Sequence, residues 1–230
     1  WCDINSPKQI LAKNTFPLDE IPGLGTAAII CDGRLVVGKR RGIWIFGGIA
    51  DVNEPVLPER PALQIGILGP HAVDVSRDNT LYWLSEYHCY RMKMDVEPEE
   101  FDAGMSEEIF NRSSSTWVES QSTYNMPLLA IDHANSDVWI YAQKGKIHIY
   151  NILTSQWHYF DTNPTGTAAE VAAMIFDPVS SRMLVSFGGQ GATRFDETSN
   201  AQDSIVAGGA TAWDIASDII PRPFELFAPR

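Results

Sequence analysis

The sequence predicts an all-β protein built as a β-propeller-like repeat of antiparallel strands. Short runs rich in Val, Ile, Tyr and Trp alternate with turn residues, which is typical of strands joined by tight connections. One order of three strands occurs four times, and the second strands begin at residues 35, 81, 138 and 183. The spacings of 46, 57 and 45 residues are typical of propeller blades, which need neighbours to cover their apolar faces.

The first unit shows the pattern most clearly, with strands predicted at 27–31, 35–38 and 43–46. Asp32-Gly33 separates the first two and predicts a hairpin, because both central residues of a type I′ turn need positive φ. The remaining predicted strands lie at 71–75, 81–84, 89–92, 128–131, 138–141, 147–150, 173–176, 183–186 and 193–195. An irregular β-sandwich is the alternative arrangement of the same strands.

The ends and the middle of the chain depart from this repeat. Residues 1–24 contain three prolines and are expected to form an extended N-terminal arm, ahead of a propeller-like domain over 25–200. The long middle spacing predicts an insertion at 95–124 that projects from its blade and holds a short helix capped by Ser106. Residues 201–230 predict one strand and an extended, Pro-rich tail.

The charge balance excludes some functions. The 230 residues carry 17 basic and 29 acidic side chains, a formal net charge of −12. Proteins that grip nucleic acid carry basic stripes, so this is an unusual balance for a dedicated phosphate binder. It also argues against adhesion to anionic lipid, and no apolar run approaches the ~18 residues of a membrane span. We therefore expect no membrane binding by this chain.

The residues that usually carry chemistry form no recognisable constellation. Cys2, Cys31 and Cys89 are too few and too far apart for a disulfide framework or a zinc site, and the last two are predicted to be buried in strands. No histidine has a partner at helical ligand spacing, and His148 is predicted on the outward face of a strand. Nucleophile-elbow and phosphate-loop motifs are missing as well. We expect no catalytic, cofactor or metal residue, and no enzyme.

A single dense basic cluster stands out in this acidic chain. Lys39, Arg40 and Arg41 follow the second predicted strand directly. Their charge suits contact with a DNA backbone or with an acidic partner surface. The alternative is a hairpin tip whose charges keep it soluble.

The order of several segments resembles the tail nozzle proteins of short-tailed phages, also called packaged-DNA stabilisation or tail hub proteins. The similar segments are 33–38, 42–48, a Pro-rich loop followed by 63–65, 81–85, 137–141, 146–151 and 155–161, and the resemblance spans about residues 24–161. It rests on strand pairs with aromatic endings, which unrelated propellers also use. This chain departs from the family in being shorter than expected of its members and in lacking an initiator Met.

The resemblance implies a structural virion protein, made in the host cytoplasm and located in the phage tail. By this resemblance the protein is expected to form a homo-oligomeric ring, typically of six copies. The ring meets other tail and adaptor proteins, and double-stranded DNA is retained behind it and passes through it. The family offers no catalytic motif to carry over to this sequence.

Two other functions are compatible with the same fold. One is a monomeric β-propeller binding module, for example for glycans, because seven Trp and seven Tyr could stack on sugar rings. The other is a hydrolase or lyase on a propeller scaffold, which would need polar groups that converge on the central channel. The mass of the protein in solution separates a ring from a monomer.

Overall fold

The computed structural model describes residues 23–47, 65–111, 118, 126–162 and 170–187, together with the backbone of strands at 2–3, 6–10, 58–63 and 192–194. Two short N-terminal strands, β1 (Cys2–Asp3) and β2 (Ser6–Ile10), pair with each other. Among the described residues no helix is long and apolar enough to cross a membrane. The predicted C-terminal strand and tail at 201–230 lie outside the described residues.

Four antiparallel sheets follow one another along the chain, each with its strands in sequence order. The first sheet contains β3 (Gly25–Cys31), β4 (Arg34–Lys39), β5 (Gly42–Phe46) and β6 (Pro58–Leu63). The second contains β7 (Val73–Val75), β8 (Thr80–Leu84), β9 (Cys89–Lys93) and β10 (Glu99–Glu100). The third contains β11 (Leu128–Asp132), β12 (Asp137–Gln143), β13 (Lys146–Asn151) and β14 (Gln156–Asp161). The fourth contains β15 (Val171–Asp177), β16 (Arg182–Phe187) and β17 (Ala192–Arg194).

The sheets are arranged as the blades of a propeller. The first strand of each sheet contacts the first strand of the next, so β3, β7, β11 and β15 follow one another around the inside of the arc. This arrangement confirms the predicted all-β, propeller-like repeat and favours it over the β-sandwich. The strands of the predicted repeats are present, with ends that differ by up to two residues.

A left-handed residue stands directly before the second strand of every sheet. The residues are Gly33, Asn79, Ser136 and Ser181, with φ of 72°, 59°, 60° and 56°. Asp32 also has positive φ, at 49°, which confirms the hairpin predicted for Asp32-Gly33. The same turn geometry therefore recurs with the spacing of the sequence repeat.

Alternate side chains of the third sheet pack in opposite directions. Val138 and Ile140 join the apolar core shared with the first and second sheets. Trp139 and Tyr141 join a second core shared with the fourth sheet. Both faces of this sheet are covered, as in a blade with two neighbours.

His148 contradicts its sequence prediction. It was expected to face solvent because it alternates with Ile147 and Ile149, but its side chain is fully buried. It pairs across the sheet with Ile140 and lies on the face that looks toward the second sheet. Alternation of apolar and polar residues along a strand indicates a solvent-exposed face only in a sheet with one exposed face. Both faces of the third sheet are covered, so the alternation around His148 does not have that meaning.

The predicted insertion packs onto the third sheet in its described part instead of projecting. Helix α1 (Ser106–Ile109) starts after Met105, so Ser106 is the first helical residue and not the predicted cap. Ile109 is fully buried in the first core. Gln143 Nε2 donates to the carbonyl oxygen of Ile109 at 3.3 Å, and Lys146 Nζ lies 2.7 Å from Glu108 Oε1. The helix is therefore anchored to β12 and β13.

Candidate functional site

The predicted basic cluster lies at the β4–β5 turn, where its three side chains have different surroundings. Lys39 is buried at the end of β4, whereas Arg40 and Arg41 are exposed in the turn. The carbonyl oxygen of Lys39 accepts a hydrogen bond of 2.9 Å from the N–H of Ile67. Arg40 Nε lies 3.4 Å from Glu86 Oε1. The turn is thus tied to the second sheet, and its contact with DNA or a partner stays a prediction.

A second group of charged side chains meets at the outer edge of the second sheet. His88 directly precedes β9, and its carbonyl oxygen accepts a hydrogen bond of 2.9 Å from Ser85 N–H. Glu100 ends β10 and pairs with Tyr90 of β9. Beyond β10 the chain stays beside β9, since Phe101 N–H donates to the Cys89 carbonyl at 3.0 Å. This path brings Glu100 and Asp102 next to His88.

The three side chains present one ligand atom each to a common point. His88 Nδ1 lies 3.4 Å from Asp102 Oδ1 and 3.8 Å from Glu100 Oε2. All three atoms lie within 4.8 Å of one another. Asp102 is 2% exposed at its side chain, while the side chains of His88 and Glu100 are 37% and 54% exposed. Asp102 therefore forms the buried part of the group, and His88 and Glu100 form the part that solvent reaches.

Neighbouring groups fix both carboxylates. Cys89 N–H donates to Asp102 Oδ2 at 3.1 Å, and the Tyr90 hydroxyl donates to Glu100 Oε1 at 3.0 Å. Burial raises the pKa of Asp102, although the Cys89 N–H and His88 oppose that rise. Burial and the Glu100 carboxylate raise the pKa of Tyr90 to about 12, so its hydroxyl is a stable donor at neutral pH. An imidazole nitrogen with two held carboxylates is a donor set that suits a divalent metal ion.

Sequence reasoning missed this group because its members are twelve and fourteen residues apart and lie on no helix. Glu100 lies within the predicted insertion at 95–124, and His88 has no partner at helical ligand spacing. The pairing of β10 with β9 brings these three residues together, but β10 has only two residues and therefore almost no recognisable sequence pattern.

No family model matches the chain, and no curated protein matches it by sequence. Solved structures do match. Hsv2 from Kluyveromyces lactis superimposes with a TM-score of 0.50 and 10% identity, over 79% of this chain and 51% of its own. Its counterpart from K. marxianus gives a TM-score of 0.50 and 11% identity, over 76% of this chain and 50% of its own.

A third match is virginiamycin B lyase from Staphylococcus aureus, with a TM-score of 0.48 and 11% identity, over 82% of this chain and 61% of its own. This chain spans about half the length of the Hsv2 structures. Hsv2 is a β-propeller, and at this level of identity the likeness concerns the fold alone. The described residues therefore form a β-propeller-like fold, in which four sheets of three or four strands follow one another.

Proposed function

We propose that this chain is a non-enzymatic β-propeller module that binds a protein partner through the open faces of its first and fourth sheets. The observation that supports it most directly is the exposure of apolar side chains on those two faces. A propeller covers each sheet face with the next sheet, and contiguous exposed apolar surface marks interaction sites.

The open face of the first sheet carries Ile30, Leu35 and Val37. Ile30 pairs with Leu35 across β3 and β4, and the two side chains are 70% and 41% exposed. Val37 lies on the same face and packs with Trp44 and Phe46, whose side chains are buried. The exposed part of this face is therefore the part formed by Ile30 and Leu35 on β3 and β4. The opposite face packs on the second sheet.

The open face of the fourth sheet carries Ile175 and Leu184, which pair across β15 and β16. Ile175 is 63% exposed. The neighbouring pair, Phe176 and Met183, points the other way and packs against the third sheet. The two faces are thus the outward faces of the first and fourth sheets in the described series β3–β17.

A protein partner fits these faces better than a glycan does. Sugar binding would use accessible aromatic rings on these faces. Among the described residues, Trp44, Trp83 and Trp139 are almost fully buried, and the exposed Tyr87 lies in the β8–β9 loop of the second sheet, on neither face. Trp157 packs against Phe101 at a centroid distance of 6.0 Å. The partner we propose offers an apolar β-sheet surface, as a further blade would.

The ring-forming virion component implied by the phage resemblance is the second candidate. It is favoured by the position of the open faces on opposite ends of the arc. Contact between two different faces is heterologous, and such contacts generate rings when the rotation closes. In this second proposal the partner is another copy of the chain, and the Lys39–Arg41 turn would be tested for contact with double-stranded DNA.

The experiment compares the whole chain with Ile30→Lys and Ile175→Lys, using the fluorescent apolar probe ANS and light scattering. Val179→Lys is the control, because Val179 is 93% exposed but stands in a turn. We expect both strand variants to lower ANS binding and the control to leave it unchanged. Equal binding by all four proteins would overturn the proposal.

Light scattering then separates the two candidates. A monomer of 25.5 kDa supports the module that binds a different protein. An oligomer whose mass is a whole multiple of 25.5 kDa, and which Ile30→Lys and Ile175→Lys dissociate, supports the ring.

A further inference from the structure

We propose that His88, Glu100 and Asp102 form a binding site for a divalent transition-metal ion of the zinc class. The site lies at the edge of the second sheet, where β9 and β10 pair, and is independent of the open faces of the first and fourth sheets.

The distances between the ligand atoms suit such an ion. Bonds of about 2.0–2.2 Å in tetrahedral geometry separate two ligand atoms by about 3.3–3.6 Å. His88 Nδ1 is already 3.4 Å from Asp102 Oδ1 and 3.8 Å from Glu100 Oε2. The long, half-exposed Glu100 side chain can supply the remaining adjustment.

The ligands are also held in place before any ion binds. Asp102 is fixed by its burial and by the Cys89 N–H, whereas the Tyr90 hydroxyl restrains Oε1 of Glu100 and leaves Oε2 able to turn toward His88. Outer contacts of this kind orient metal ligands and strengthen binding. Arg91, a cation on the same strand, is engaged by Glu99 through hydrogen bonds of 3.1 and 3.0 Å.

The donor set selects the class of ion. Ca²⁺ and Mg²⁺ prefer six or more oxygen ligands, whereas an imidazole nitrogen favours zinc and its neighbours. Three protein ligands and an open side leave a fourth position for water or for a group from a partner. Because His88 and Glu100 reach solvent, an ion can enter without unfolding the sheet.

The test titrates the whole chain with Zn²⁺ by calorimetry, with Ca²⁺ as the comparison ion and Co²⁺ absorption as a report on coordination. We expect one Zn²⁺ per chain and at least about tenfold weaker binding in His88→Gln and Glu100→Gln. Both variants change partly exposed side chains, so the sheet should remain folded, which circular dichroism checks. His71→Gln is the control, because His71 is an exposed histidine outside the group.

The visible bands of bound Co²⁺ should appear in the wild type and weaken in Asp102→Asn, which keeps an oxygen that can accept from Cys89 N–H. Three results would overturn the proposal: no saturable Zn²⁺ binding, unchanged binding in both His88→Gln and Glu100→Gln, or equal affinity for Ca²⁺.

Discussion

Asp74 of the second sheet accepts a hydrogen bond at Oδ2 from the backbone N–H of Ile131 in the third sheet, at 2.9 Å. Its other oxygen, Oδ1, accepts from the N–H of Val75 at 2.8 Å. Asp74 and Ile131 belong to β7 and β11, which contact each other on the inside of the arc. This side chain thus joins two blades, in addition to the backbone hydrogen bond of 2.7 Å from Leu129 N–H to the carbonyl oxygen of His71.

Replacing Asp74 with Ala should lower the free energy of unfolding by about 1–3 kcal/mol, because two backbone N–H groups lose their acceptor. Urea unfolding measures the loss. Glu97→Ala is the control, since Glu97 is exposed and a surface change of this kind costs less than about 0.5 kcal/mol. Equal losses in the two variants would contradict the role given to Asp74.

Gly66 gives a second prediction, about the contact between the first sheet and the segment that leads to the second. A Cβ atom at Gly66 would lie 2.0 Å from the carbonyl oxygen of Arg40. That atom belongs to the backbone and cannot turn aside. Gly66→Ala should therefore cost about 2 kcal/mol or more of unfolding free energy.

Gly25→Ala is the matched control for Gly66→Ala, because a Cβ atom there meets nothing within 4 Å. Gly25 is the first residue of β3 and Gly66 lies between β6 and β7, and neither has a positive φ. Thermal and urea unfolding of the two variants should separate them clearly, and similar stability would show that the β4–β5 turn can move away from Gly66.

The strands that could be predicted are those whose side chains are packed. β4, β8 and β12 are runs of Val, Leu, Tyr and Trp bounded by turn residues, and the structure has them. β6 was missed because Pro58 and Pro61 argue against a strand, yet β6 is the last strand of its sheet, where prolines are tolerated. Pattern therefore located the inner strands of the sheets better than their edges.

Long-range pairing limits prediction of the candidate site in the same way. His88 and Asp102 come together because β10 pairs with β9, and the sequence of β10 is only Glu99–Glu100. The basic turn was found because its three residues are adjacent, but the burial of Lys39 depends on packing that adjacency does not reveal. Neighbouring residues in the sequence therefore reveal a charged turn, whereas contacts between distant residues determine which charged side chains are buried and which lie close together.

Asp137 leads to a prediction about pH. It is fully buried, and burial raises its pKa to about 7, against the opposing hydrogen bond from Asn151 Nδ2 at 2.7 Å. The folded state therefore holds a proton that the unfolded state releases near pH 4. Folded protein binds more protons between these values, so its stability falls as pH rises from about 4 to about 7.

The effect of Asp137 has an upper limit of about 4 kcal/mol, because each pKa unit corresponds to about 1.4 kcal/mol. Asp137→Asn removes the titration and should flatten the pH dependence. The quantity to compare is the difference in unfolding free energy between wild type and variant at pH 4.5, 6 and 8. A difference that does not change with pH would refute the assignment.

Glu108 and Lys146 give the last prediction, because both act on the buried His148. Burial lowers the pKa of His148, the Glu108 carboxylate opposes that shift, and the charge of Lys146 adds to it. His148 Nε2 lies 3.5 Å from Glu108 Oε1, and the same oxygen is paired with Lys146 Nζ at 2.7 Å. Glu108→Gln should lower the pKa of His148 further, whereas Lys146→Gln should raise it.

The two variants break the same ion pair, so a purely structural effect would move the pKa of His148 in one direction in both. NMR titration of the His148 ring proton distinguishes the outcomes. A histidine with a lowered pKa costs stability as pH falls below its unfolded value of about 6.5. Glu108→Gln should therefore be the more acid-sensitive protein, and the reverse order would show that Glu108 does not stabilise the charged form of His148.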